Sequence, residues 1–112
     1  MAGELSTVGA NIGLDAATGR ATQTARTTYL ALCSAAPTGG DASTLATMNE
    51  IATAGYARQS VTWTAPTGDP AETHNSNTIT FGPFTADPPN VTHCALVSAA
   101  SGTTGDFIAW WT

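Results

Sequence analysis

"VTHCALVSAASGTTGDFIAWW", residues 91–111, is the stretch that decides the fold. Its first part alternates, with Val91, His93, Ala95 and Val97 on one side and Thr92, Cys94, Leu96 and Ser98 on the other. A period of two marks a strand, because successive side chains of an extended chain point to opposite faces. "SGTTGD" has the composition of a hairpin turn, and "FIAWW" after it is a second β-prone run. Strands joined by so short a connection pair antiparallel.

Further strands read outward from this hairpin. "TTYLALCSA", residues 27–35, sets Tyr29, Ala31 and Cys33 on one face and Leu30 and Leu32 on the other, so it is expected as a central strand covered on both faces. "YARQSVTWTA", residues 56–65, gives Val61, Trp63 and Ala65 one parity and Tyr56, Arg58, Ser60 and Thr62 the other. The more apolar parity is assigned to the core, which turns Tyr56 and Arg58 outward. "TITFGPF", residues 78–84, alternates Ile79 and Phe81 against Thr78 and Thr80 until Gly82-Pro83 bulges or ends it.

Two segments carry helical spacing. Over residues 5–18, Leu5, Val8 and Ile12 fall on one face, with Ser6 or Thr7 as N-cap and Gly19 as left-handed stop. Over residues 41–52, Leu45, Met48 and Ile51 or Ala52 do the same, with Asp41 or Ser43 as cap and Gly55 beyond the end. "PTGDPAETHNSN", residues 66–77, is turn chemistry throughout. The expected fold is mostly β, a small antiparallel sheet or sandwich with one or two short helices. It forms a single domain over residues 1–112, with an N-terminal helix or arm at 1–26 and a core at 27–112.

Composition narrows function. The chain has 112 residues, 42% hydrophobic and only 10% charged, with no lysine, three arginines and a net charge of −5. Arg20, Arg26 and Arg58 cannot form the basic stripe that neutralises phosphates, so nucleic acid is not an expected partner. No apolar run is long enough to span a bilayer as a helix, and no membrane partner is expected. The opening "MAGELSTVGANIG" lacks the basic and apolar regions of a signal peptide, so synthesis in the cytoplasm is expected. Cys33 and Cys94 read as small buried hydrophobes, with a disulfide formed after release as the alternative.

Catalytic chemistry lacks its parts. His93 and Cys94 are neighbours on one strand and point to opposite faces, which argues against a Cys-His dyad. Cys33, His74, His93 and Cys94 lack the short paired spacings of a zinc site. Asp69 and Glu72 read as solvated loop charges. No enzyme activity, metal or cofactor is expected. Partner surface remains. Tyr56, Arg58, Trp110 and Trp111 are of the residue types enriched at interfaces, and Trp110 and Trp111 point to opposite sides of their strand. Equally open is plain packing at a sheet edge, with Arg58 pairing Glu50 or Asp41. If Arg58 anchors an interface, Arg58→Ala should leave the melting temperature nearly unchanged and abolish recruitment.

The order of motifs over residues 27–111 resembles a family of small structural proteins of tailed phages of actinobacteria. It runs from the "YLAL" strand through "GYARQ", "V-W" and "ITFGPF" to "VTHCALV" and a closing aromatic strand. Members are head decoration (minor capsid) or minor tail proteins. The resemblance implies a virion component without catalytic residues. The main expectation is a capsid decoration protein docked on the assembled major capsid protein, lattice-bound or as a homo-oligomer. The alternatives are a minor tail or tail-fibre-associated subunit, or a small carbohydrate-binding β-sandwich using an exposed Trp, Tyr56 and the 67–77 loop.

Overall fold

The computed structural model describes residues 4–112. Residues 1–3, where the expected arm and the export-signal reading begin, lie outside the described residues. The elements are β1 (Glu4–Leu5), α1 (Thr7–Thr18), β2 (Thr28–Cys33), β3 (Gln59–Val61), β4 (His93–Val97) and β5 (Phe107–Trp111), with a 3-10 turn at Gly40–Ala42. The strands form one sheet in the order β1-β5-β4-β2-β3, and every pairing is antiparallel. The fold is mostly β, as the alternating patterns indicate, and the architecture is a sheet rather than a sandwich.

The hairpin at residues 91–111 is β4 and β5. It carries an irregularity at Leu96/Val97, where the register steps from Leu96↔Ala109 to Val97↔Phe107. Residues directly opposite one another share a face. Register therefore places Tyr29, Ala31 and Cys33 of β2 with Val97, Ala95 and His93 of β4, and Ala95 with Trp110 of β5. That face is the core: Ala31, Cys33, Ala95, Val97 and Phe107 are buried there with Leu45 and Met48. The reverse face carries Leu30, Leu32, Cys94, Leu96 and Trp111, all only half-buried, so β2 is central but thinly covered on one side. Cys33 and Cys94 fall on opposite faces, and both thiols are free.

The segment expected as a second helix is the first correction. Leu45, Met48 and Ile51 are buried as the spacing requires, yet the backbone over 43–52 is irregular. Ser, Thr and Asn compete with the helical ladder through local side-chain hydrogen bonds. Here Ser43 Oγ donates to Thr38 O (2.6 Å), Thr47 Oγ1 accepts from Thr44 N (2.9 Å) and Asn49 Nδ2 donates to Ala36 O (2.6 Å). Asn49 itself sits at φ 60°, a left-handed conformation no helix interior allows. The second correction concerns residues 78–84. Ile79 and Phe81 are half-buried and Thr78 and Thr80 exposed, so the sides are as expected, but among the described residues no strand pairs with them and no ladder forms.

α1 has the expected caps: Ser6 Oγ accepts from Gly9 N (2.9 Å), and Gly19 closes the helix at φ 67°. Its seat differs from the expected Leu5–Val8–Ile12 face. Leu5 and Val8 are exposed and Ile12 is half-buried, whereas Gly9 is buried against Ile108 of β5. Ser6, fully buried, fastens this contact through Ser6 N to Ile108 O (2.8 Å) and Ser6 Oγ to Phe107 O. The helix sits where its backbone comes closest to the sheet, and only a glycine allows that approach.

Two helix glycines should therefore respond oppositely to alanine. A Cβ on Gly9 would run into the Ile108 carbonyl oxygen, so Gly9→Ala is expected to destabilise the domain by about 1–3 kcal/mol. Gly13 has nothing within 4 Å, and Gly13→Ala is expected to stabilise it by about 0.5–1 kcal/mol. Urea denaturation of both variants checks the pair.

Candidate functional site

Three residues of one loop and strand converge beside the β4–β5 connection. Glu50 is placed by backbone pairing, because the chain at 49–51 runs alongside the end of β2. Cys33 bridges Glu50, Ser34 N donates to Asn49 O (3.0 Å) and Ile51 N donates to Leu32 O (3.0 Å). Arg58 stands immediately before β3, where Ser60 lies opposite Tyr29. The parity that holds Arg58 and Ser60 is thus the parity of the core face.

Arg58 is accordingly buried, with 8% of its surface exposed, and the outward orientation expected for it is corrected. The register of β3 against β2 chooses the face, and the apolarity of Val61 and Trp63 does not. Val61 is buried on the reverse side, while Trp63, expected in the core, is 44% exposed and donates from Nε1 to Thr28 Oγ1 (2.9 Å). Arg58 grips Glu50 with two bonds, Nε to Oε1 (2.8 Å) and Nη2 to Oε2 (2.7 Å). It also donates from Nη1 to Ala99 O (3.0 Å) and from Nη2 to Gly102 O (2.8 Å). Tyr56 completes the group: its hydroxyl donates to Glu50 Oε1 (2.6 Å) and accepts from Leu32 N (3.1 Å), and its ring stacks on Phe81 at 6.1 Å.

These side chains line one wall of a cleft of about 240 Å³, completed by Ile51, Ala57, Ala100, Ser101 and Gly102. The Glu50 hydrogen bond holds the Arg58 guanidinium above its usual range. Burial, reinforced by the Glu50 hydrogen bond, raises the Tyr56 phenol. Both effects keep Arg58 a cation and Tyr56 a neutral phenol, each already partnered by Glu50. Among the described residues no buried side-chain nitrogen or oxygen lacks a partner.

Trp110 and Trp111 do not join this group. Trp110 packs against the core, donates from Nε1 to Asp41 Oδ1 (3.0 Å) and lies 5.9 Å from the His93 ring. Trp111, opposite Cys94, is half-buried on the reverse face. His93 shares its face with Cys33 rather than Cys94. The Cys33 thiol is pushed up to about 12, chiefly by burial and then by Glu50, so it stays protonated. Asp69, Glu72 and His74 are exposed on the 63–77 hairpin, with His74 Nε2 3.6 Å from Glu72 Oε2.

The family model of the podophage GP4 fiber I protein gp80 matches residues 4–112. The chain belongs to this family. No curated protein and no solved structure matches it. Membership makes the protein a phage virion structural protein of a fibre family, and the expected kinship with head decoration proteins is corrected to that extent. In this fiber I family member the Tyr56–Arg58 pair is taken up inside the domain. The hub that sequence patterning did not single out is Glu50, considered only as one possible partner of Arg58. Its importance follows from the Cys33 bridge, a long-range pairing with no local signature.

Arg58→Ala should leave the Glu50 carboxylate with the Tyr56 hydroxyl but no cation, and strip two carbonyls of their side-chain donor, with a loss of about 3 kcal/mol. Arg58→Lys should recover only part of it, lacking the two-pronged geometry. Thermal unfolding of both variants tests this. The Cys33 shift sets a pH window. The unfolded chain releases the thiol proton above its ordinary value of 9.0 while the folded chain retains it to about 12. Stability should be full below pH 9 and fall progressively from there to pH 12, with Tyr56 adding to the fall above its ordinary 10.0. Cys33→Ala should make that decline shallower in urea titrations across the same range.

Proposed function

We propose that the chain is a non-enzymatic subunit associated with the tail fibre of a podophage, contacting other fibre or tail proteins or further copies of itself. The observation that carries this is the fibre family match, which spans 4–112 and so takes in every described element. The chemistry of the cleft agrees with it. Arg58, Glu50 and Tyr56 spend their polar atoms on one another and on the backbone, and the Cys33 thiol is held protonated. These engagements favour a structural module over a reacting centre.

The partner surface on this reading lies away from the Tyr56–Arg58 pair. All three arginines are engaged within the chain, Arg20 with Asp15 (2.6 Å), Arg26 with Asp106 (3.3 Å) and Arg58 with Glu50. Contacts to neighbours on this reading rest mainly on apolar area and hydrogen bonds, with only the surface-paired Arg20 and Arg26 able to offer a guanidinium to a partner. Among the described residues, Trp63, Leu5, Val8, Leu14 and Val91 are the large exposed apolar groups available, together with half-buried Trp111.

Virions separated into heads and tail-fibre assemblies decide the reading. The chain should be found by mass spectrometry with the fibre fraction. Recovery with heads alone would return the protein to capsid decoration.

A further inference from the structure

β3 is an outermost strand of the sheet, with β2 on one side only. Its run "QSVTWTA", residues 59–65, is uncharged, free of proline, and rich in branched and aromatic residues. An edge of that composition is a template for pairing with another chain. The usual deterrents, an edge lysine or proline, are absent from it.

The outward-turned groups of this edge are nevertheless occupied. The chain returns through the 63–77 hairpin, where Thr67 and Glu72 exchange backbone bonds (2.9 and 2.7 Å) and Thr64 N donates to His74 O (2.8 Å). Ser76 N donates to Thr62 O (2.7 Å), and the two hydroxyls at 62 and 76 meet at 2.8 Å. At Asn77 the pairing changes kind. Thr62 N donates to Asn77 Oδ1 (3.0 Å), and Asn77 Nδ2 donates to Ser60 O (3.0 Å). One carboxamide thus presents an acceptor and a donor to two groups of the strand, in the place where a neighbouring backbone would present its C=O and N–H.

We propose that Asn77 is an edge guard: its side chain occupies the pairing position on β3 that a strand from a second copy of this chain would otherwise take. The inference is independent of the fibre reading, since it rests on the sheet edge alone. Only an amide serves. Aspartate keeps an acceptor for Thr62 N but sets an oxygen against Ser60 O, where a donor is required.

Hydrogen exchange on the full chain gives the first test. In the wild type the Thr62 amide should be protected, and Asn77→Ala, which removes both the acceptor for Thr62 N and the donor to Ser60 O, should accelerate its exchange on the order of tenfold while the Ala95 and Val97 amides are unaffected. A fluorescent peptide of residues 59–65 is the second probe, followed by anisotropy. The variant should bind it saturably and the wild type should not. Equal peptide binding by both proteins, or none by a folded variant, overturns the proposal. Should the variant lose its sheet by circular dichroism, the wild type decides: a Thr62 amide that exchanges like an unstructured peptide overturns the guard, and a protected one supports it.

Discussion

The ion pair between Arg58 and Glu50 ties together parts of the chain that no ladder joins. Glu50 belongs to an irregular loop, Arg58 to the entry of β3, and the two carbonyls that complete the guanidinium shell belong to the β4–β5 connection. Tyr56 extends the same group to the backbone of β2 and to Phe81. Charge-assisted bonds between a fork-shaped donor and a carboxylate are directional as well as strong. Burial raises the cost of any arrangement that leaves one member unpaired. The pair thereby holds the loop at Glu50 against the entry of β3 and the β4–β5 connection.

The same economy runs through the rest of the domain. Residues 34–58 and 62–91 contain little regular secondary structure, and their backbone groups find partners in Ser, Thr and Asn side chains. A chain rich in short hydroxyl side chains can hold irregular backbone because each hydroxyl both donates and accepts near its own main chain. Each arginine is paired within the chain, Arg58 in the interior and Arg20 and Arg26 at the surface, and the net charge is −5.

Several features are legible in the order of residues alone. The β4–β5 hairpin, the strand at β2 and both caps of α1 depend on local rules: alternation, turn composition and the short-range chemistry of Ser6 and Gly19. Periodicity also finds the right buried residues at Leu45, Met48 and Ile51, but it misjudges the backbone that buries them. Spacing reports which side chains face inward, whereas Ser43, Thr47 and Asn49 decide by their hydrogen bonds whether the chain between them is helical.

Local chemistry thus dictates a mostly β domain with a capped helix, a closing hairpin and no basic patch, because each of these follows from neighbours in the chain. Long-range packing selects which face of β3 is inside, where α1 rests, and which acid receives Arg58. Those outcomes depend on register between segments distant in sequence, Ser60 opposite Tyr29 and Cys33 beside Glu50. Parity separates two faces without naming the inner one. A slip of one residue in register would exchange them, and only the packed sheet selects which is buried.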